Sequence, residues 1–316
     1  MSGPDEFDTI ARLFRPLAKD APEALNLMDD AAVIPSRDGY DLVVTKDVLV
    51  AGVHFLPDDP FDLVARKLLR VNLSDLAAKG AAPYGYFLSI CWPDGADWSA
   101  REAFARGLAA DQAEYGLKLF GGDTVSTSGP LTIGATMLGW VPAGAMVRRA
   151  GARAGDLVQV SGPIGDGWLG LAAARGLLAG LGREDLDGLA DRYRLPRPRV
   201  GLDLAGATAC ADISDGLLAD AGHIGEASGV GVEIDLDRLP LSAAASAWLA
   251  GQGDRAAALT ALATGGDDYE LVAAASDPLP GFTVIGRVLA GHGLSVRLDG
   301  RAVEVMRTGW RHGNDG

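Results

Sequence analysis

The chain has 316 residues, and its 42 acidic against 28 basic side chains give a net charge of -14. That balance disfavours nucleic acid, whose binding needs clustered Lys and Arg to displace counterions. The length suits roughly two domains, and 48% hydrophobic residues is enough for proper cores. Cys91 and Cys210 are the only cysteines and lie in apolar contexts, so they read as buried free thiols in a reducing compartment. The first residues lack the basic start and apolar stretch of a signal peptide, and no apolar run approaches the ~20 residues of a membrane span. A cytoplasmic protein with no membrane partner is expected.

Alternating strands and helices follow in two halves. Leu42 to Thr45 reads as a short strand, and Asp59-Pro60 caps a helix in which Ala65, Leu68, Leu69, Asn72 and Leu76 have helical spacing. Ser99-Ala100-Arg101-Glu102 has the form of a capping box, opening a helix through Phe104, Leu108 and Tyr115 that stops at Gly116. A strand from Leu117 to Phe120 should end at Gly121-Gly122-Asp123, and Leu131 to Val141 reads as a longer strand. Pro142-Ala143-Gly144 and the Arg-rich stretch from Arg148 to Arg153 look like a domain junction, giving expected domains over 1–142 and 143–316. Further strands are expected at Asp156 to Ser161, Val232 to Leu236, Tyr269 to Ala275, Phe282 to Val288 and Leu294 to Leu298. The alternation fits an α/β or α+β layered architecture, which periodicity does not separate.

Six acidic clusters stand at or near the ends of apolar runs. They are Asp29-Asp30, Thr45-Lys46-Asp47, Asn72-Leu73-Ser74-Asp75, Gly121-Gly122-Asp123, Asp212-Ile213-Ser214-Asp215-Gly216 and Gly265-Gly266-Asp267-Asp268. Gathered carboxylates raise each other's pKa, so a fold that collects them needs cations to hold them ionised. Oxygen ligands suit magnesium, which sits between carboxylates and substrate phosphates; phosphoryl transfer is the leading chemistry. Each cluster also has a plain reading: Asp75 as a helix-surface ion pair, Asp215 as a cap, Asp123 as a turn residue. Six in one chain outweigh it. Gly165-Asp166-Gly167-Trp168-Leu169-Gly170 has the G-x-G-x-x-G form, but Arg183 to Arg194 is too polar for the strand a dinucleotide site requires. A phosphate-contacting turn at a helix N-terminus is the preferred reading of that segment. No lysine follows a glycine, so a P-loop is excluded.

The blocks Asp29-Asp30-Ala31-Ala32, Asp47 to Phe55, Val71 to Ala78, Gly121 to Thr124, Asp212 to Leu217 and Gly265 to Leu271, in this order, resemble the thiamine-monophosphate kinase family nearly end to end. That family belongs with aminoimidazole ribonucleotide synthetase, selenophosphate synthetase and a hydrogenase-maturation protein. The resemblance implies an α+β fold of two aminoimidazole ribonucleotide synthetase-like domains, with the N-terminal sheet pairing across a homodimer and the active site in the interdomain cleft. It implies transfer of the ATP γ-phosphoryl group to thiamine monophosphate. The acceptor phosphate is already anionic, so positioning and charge neutralisation suffice.

Carried over residue by residue, the resemblance makes Asp30, Thr45, Asp47, Asp75, Asp123, Asp212 and Asp215 the magnesium ligands, joined by the backbone carbonyl of Lys46. Asp47, Asp75 and Asp215 are central to catalysis. Gly122, Asp123, Arg148 and Ser214 serve ATP, while His54, Asp267 and Trp310 line the substrate site. A Trp beside a cationic thiazolium has a physical motive worth ~0.5–2 kcal/mol. Asn26 and Met28 stand where the family usually has glycines, so the loop is expected to take a different path, and Asp267 replaces a Glu one methylene longer. The alternatives are another ATP-dependent enzyme of the superfamily, foremost an aminoimidazole ribonucleotide synthetase, or a noncatalytic nucleotide- or metal-binding module. The absence of a Cys before Cys91 or at the C-terminus disfavours the other two relatives.

Overall fold

The computed structural model describes residues 6–310; the two extreme termini, including His312, lie outside them. Contacts divide the chain into one unit of Met1–Leu76 with Ala81–Met146 and another of Ala77–Gly80 with Val147–Gly316. Each combines helices with a sheet, an α+β arrangement. No helix among the described residues is long and apolar enough to cross a membrane.

The first unit opens with α1 (Glu6–Thr9) and a run of short helical turns to Leu27. β1 (Tyr40–Val50), α2 (Phe61–Ala78), β2 (Ala82–Pro93), α3 (Trp98–Tyr115), β3 (Lys118–Thr127) and β4 (Thr132–Pro142) follow. The sheet order is β1-β4-β2-β3, with β1 and β2 antiparallel to β4 and β2 parallel to β3. Strand alternation turns Val43 and Leu49 of β1 inward. Leu68, Leu69, Leu73 and Leu76 of α2 are fully buried, each contributing about 1.5–3 kcal/mol. Trp92 of β2 meets Phe104 of α3 edge-on at 5.4 Å. The helices are fastened by Asp111, fully buried on α3, which accepts from Arg66 Nε at 2.7 Å and Arg70 Nε at 2.8 Å on α2.

Three sequence expectations change here. The cap of α3 is Asp97, whose side chain accepts from Ala100 N–H at 2.8 Å; Ser99 lies inside the helix. The C-cap is Gly116, left-handed at φ 67 as expected. β1 and β3 run well past their expected ends, so Thr45-Lys46-Asp47 and Gly121-Gly122-Asp123 are mid-strand and not turns. Met28 has φ −113, and the left-handed positions fall instead on Leu25, Asn26 and Leu27. Asn tolerates that region, and the chain makes its unusual turn over the three residues before Met28.

The second unit contains β5 (Leu157–Val160), α4 (Asp166–Ala174), α5 (Arg183–Arg194), β6 (Ala207–Asp212), α6 (Leu217–Ser228) and β7 (Gly231–Asp235). α7 (Ala243–Ala250), α8 (Arg255–Thr264), β8 (Leu271–Ala275), β9 (Thr283–Leu289), β10 (Gly293–Leu298) and β11 (Arg301–Val303) complete it. Its sheet has the order β11-β10-β7-β9-β5-β8-β6. Val158, Val160, Val272, Ala274, Ile285 and Val288 from the strands and Leu217, Leu218, Ala221, Leu259 and Leu262 from the helices share one core.

Candidate active site

The first unit presents two groups of oxygen donors. Odd positions of β1 turn Thr45 and Asp47 toward α2, where Asp75 receives the Thr45 hydroxyl at 2.5 Å. Burial, and then the neighbouring Asp75 charge, push the Asp47 carboxyl up to about 7. Two acids sharing a half-buried space cannot both ionise cheaply without a cation. That crowding fits a divalent ion, because Thr45, Asp47 and Asp75 offer hard oxygens. Just beyond β1, Val50 N–H donates to His54 Nδ1 at 3.0 Å, which fixes the proton of a neutral imidazole on Nε2.

Asp123 belongs to the other face of the same sheet. The pairing of β3 with β2, β2 with β4 and β4 with β1 aligns Asp123 with Ser89, Gly134 and Val48, one position out of phase with Asp47. Lys46 shares that face, with its Nζ near Gly134. Asp123 instead joins Asp29, Asp30, Gly121 and Gly122 around a cavity of about 370 Å³, whose apolar lining includes Ile10, Phe14, Leu27, Phe87 and Phe120. Gly122 is required by its neighbours, since a Cβ there would lie 2.0 Å from the Leu88 carbonyl oxygen.

In the second unit β6 ends at buried Asp212, and the chain turns through Ser214 and Asp215 into α6. Gly216, at φ 126, is the cap of that helix; Asp215 does not cap it. Ser214 carbonyl accepts from Asp267 N–H at 2.8 Å, and Asp215 carbonyl accepts from Trp310 N–H at 2.9 Å. The loop carrying Asp267 is therefore laced to the loop carrying Asp215. Asp267 and Tyr269 both adopt left-handed φ, 61 and 51, and the Tyr269 hydroxyl bonds Asp267 Oδ1 at 3.1 Å. The half-exposed Trp310 ring stands 5.9 Å from the Arg307 guanidinium. Arg148 is exposed, its carbonyl accepting from Cys210 N–H at 2.9 Å.

The glycine-rich turn before α4 is not a phosphate site. Asp268, fully buried, accepts from Gly165 N–H at 2.8 Å and Gly167 N–H at 3.0 Å, so the chain's own carboxylate fills the place an anion would take. The next acid, Glu270, is equally structural: Arg192 Nη2 donates to it at 3.1 Å and Arg199 Nε at 2.6 Å.

Sequence reasoning passed over Asp220, one turn into α6. Its Oδ2 accepts from the backbone N–H groups of both Ser214 and Asp215 at 3.1 Å. The only signal was a carboxylate in a first helical turn, which the helix dipole alone explains. Among the described residues no three Asp, Glu, His or Cys side chains form a ready-made metal cage. The oxygen donors are instead distributed as small sets, an arrangement suited to ions that retain water and bind phosphate oxygens.

Two sequence families cover most of the chain: the AIR synthase related protein N-terminal domain over residues 28–141 and its C-terminal domain over residues 153–299. The chain is similar to the thiamine-monophosphate kinase of Caulobacter vibrioides, with 54% identity over 98% of this chain and 91% of the relative. It is 39% identical to that of Escherichia coli K12, over 97% of this chain and 98% of the relative. Among solved structures, the thiamine-monophosphate kinase of Stenotrophomonas maltophilia aligns with a TM-score of 0.79 at 38% identity, covering 94% of this chain and 98% of that one. A structure described as AaThiL complexed with AMPPCP and TMP aligns with a TM-score of 0.77 at 31% identity, covering 97% and 96%.

Proposed function

Because the chain belongs to the thiamine-monophosphate kinase family of AIR synthase related proteins, we propose that it transfers the γ-phosphoryl group of ATP to the phosphate of thiamine monophosphate, yielding ADP and thiamine diphosphate. Full-length likeness to kinases of that name, one of them solved with the ATP analogue AMPPCP and with TMP, carries the reading. A phosphate oxygen of the acceptor attacks the γ-phosphorus, and the bond to the β-γ bridging oxygen breaks. The attacking oxygen carries no proton at neutral pH, so no general base is required. Positioning and charge compensation supply the catalysis.

Asp30, Thr45, Asp47, Asp75, Asp123, Asp212, Asp215 and the Lys46 carbonyl would hold magnesium, which when bound neutralises charge on the transferring phosphates. The crowding of Asp47 against Asp75 supports this assignment. Gly122, Ser214 and Arg148 are assigned to ATP. Gly122 offers close backbone approach, and Arg148 an exposed guanidinium fitted to phosphate. His54, Asp267 and Trp310 are assigned to the thiamine compound. Replacing Trp310 with Ala is expected to raise KM for thiamine monophosphate more than KM for ATP, since the indole offers a π-face to a cationic ring. Initial-rate measurements varying each substrate check this, and equal shifts in both would return Trp310 to packing.

The active form is proposed as a cytoplasmic homodimer. β1 is an edge strand whose outer positions Tyr40, Leu42, Val44 and Val48 are exposed and apolar, a face that invites cover. The double change Val44→Lys and Val48→Lys should convert a dimeric mass into a monomeric one by light scattering; an unchanged mass would remove this face from the assembly.

The decisive assay is thiamine diphosphate formation from ATP and thiamine monophosphate, with and without a chelator, and with free thiamine in parallel. Magnesium-dependent product from the monophosphate alone is expected. No turnover by folded, ATP-binding protein would favour an aminoimidazole ribonucleotide synthetase-like activity on another acceptor.

A further inference from the structure

Asp220 is only 1% exposed, and its Oδ2 bonds main-chain groups of the loop that precedes its helix. Burying a carboxylate is costly unless bonds to it compensate, and here both acceptor bonds at Oδ2 go to consecutive peptides. The Ile213-Ser214 peptide gives its N–H to Asp220, while its carbonyl accepts from Tyr269 N–H at 2.8 Å. The Ser214-Asp215 peptide gives its N–H to Asp220, while its carbonyl accepts from Asp267 N–H at 2.8 Å. Two successive peptide planes are thus gripped at both ends. The next carbonyl, that of Asp215, holds Trp310 N–H. The second carboxylate oxygen of Asp220 faces His223 Nδ1 at 3.7 Å.

We propose that Asp220 is a positioning residue for the phosphoryl-transfer site, orienting the peptides that present Ser214 and Asp215 and, through the Ser214 carbonyl, the placement of Asp267 and, through the adjoining Asp215 carbonyl, that of Trp310. The inference rests on the roles proposed above for those four residues. A bond accepted at a carbonyl polarises the same peptide's N–H and strengthens its bond to the carboxylate, so the clamp works as a unit. Asp267 and Tyr269 sit in left-handed φ that Asp and Tyr rarely adopt, and such conformations persist only where surrounding bonds over-determine them. With Asp220 removed, the two peptides lose their anchor on one side and the strained loop can relax.

The test compares Asp220→Ala with Asp220→Asn, whose amide oxygen can still accept both N–H groups. Asp220→Ala is expected to lower kcat/KM for thiamine monophosphate by ~10- to 100-fold, the scale of a small misplacement. Asp220→Asn should recover most of that loss. Amide hydrogen exchange, measured without magnesium or nucleotide, should show faster exchange at Asp267, Tyr269 and Trp310 in Asp220→Ala, with strand amides of β8 and β9 unchanged. This readout does not depend on activity. If wild type makes no thiamine diphosphate, the functional reading fails while the exchange data still judge the clamp. Unchanged exchange at those three amides, or equal impairment of both variants in an active enzyme, would overturn the proposal. Should Asp220→Ala not fold, the Asp220→Asn exchange pattern matching wild type supports the clamp, and faster exchange in it overturns the role of the acceptor oxygen.

Discussion

Replacing Asp47 with Asn is expected to lower kcat by ~100-fold or more while raising the melting temperature measured in chelator. The first effect is the loss of one preorganised charge facing the phosphates. The second follows from its surroundings, because burial and Asp75 lift the Asp47 carboxyl from 3.8 to about 7. A carboxyl whose folded value lies above its unfolded value takes up a proton on folding. Its stabilising share is complete at pH below the unfolded value and is lost as pH rises through the folded one. Chelated wild type should therefore lose stability from about pH 4 to about pH 7, and Asp47→Asn should flatten that decline. Magnesium, competing with the proton, should stabilise wild type more at pH 8 than at pH 5. Scanning calorimetry across pH, with and without magnesium, checks the stability effects, and initial rates check kcat. Full activity with unaltered magnesium dependence would withdraw Asp47 from the metal set.

The largest loss of stability should come from Glu270→Ala. This carboxylate is fully buried and accepts from Ser161 Oγ at 2.5 Å, from Arg192 and from two nitrogens of Arg199. Arg192 is itself buried and also donates to the Asp268 carbonyl at 2.6 Å. Removing the acid strands an arginine in a dry interior, a change that costs about 3–5 kcal/mol. It also removes the bond from Ser161, just after β5, to the residue just before β8. Urea unfolding should place the midpoint well below that of wild type, and a difference under ~1 kcal/mol would mean that the arginines find other partners.

The helix from Phe61 was legible because Ala65, Leu68, Leu69, Asn72 and Leu76 repeat with helical period. α3 was legible through Gly116, although its start was misread because two candidate caps, Asp97 and Ser99, stand two residues apart. β2 escaped notice since Pro83 and Gly85 interrupt it; the structure absorbs them in a register shift, where a missing N–H is tolerated. β6, Ala-Thr-Ala-Cys-Ala-Asp, has too few branched side chains to announce a strand, and only burial against β8 makes it one. The acidic residues were legible singly. Their grouping was not, because the phase separating Asp47 from Asp123 depends on three strand pairings no local pattern contains. The glycine turn before α4 misled for a similar reason: the carboxylate that fills it arrives from Asp268, about a hundred residues later in the chain.

The order β11-β10-β7-β9-β5-β8-β6 has a consequence for biosynthesis. β5 is an interior strand, yet both its neighbours, β8 and β9, are among the last strands to be made. A ribosome adding about 5–20 residues per second leaves Val158 and Val160 without sheet partners for on the order of ten seconds. The first unit, whose strands all end by Pro142, can close its own sheet during that wait. The second must remain open until its C-terminal third emerges. Nascent chains stalled before Leu271 should therefore be the species that chaperones and proteases see, and a premature stop there removes the whole second sheet rather than its edge.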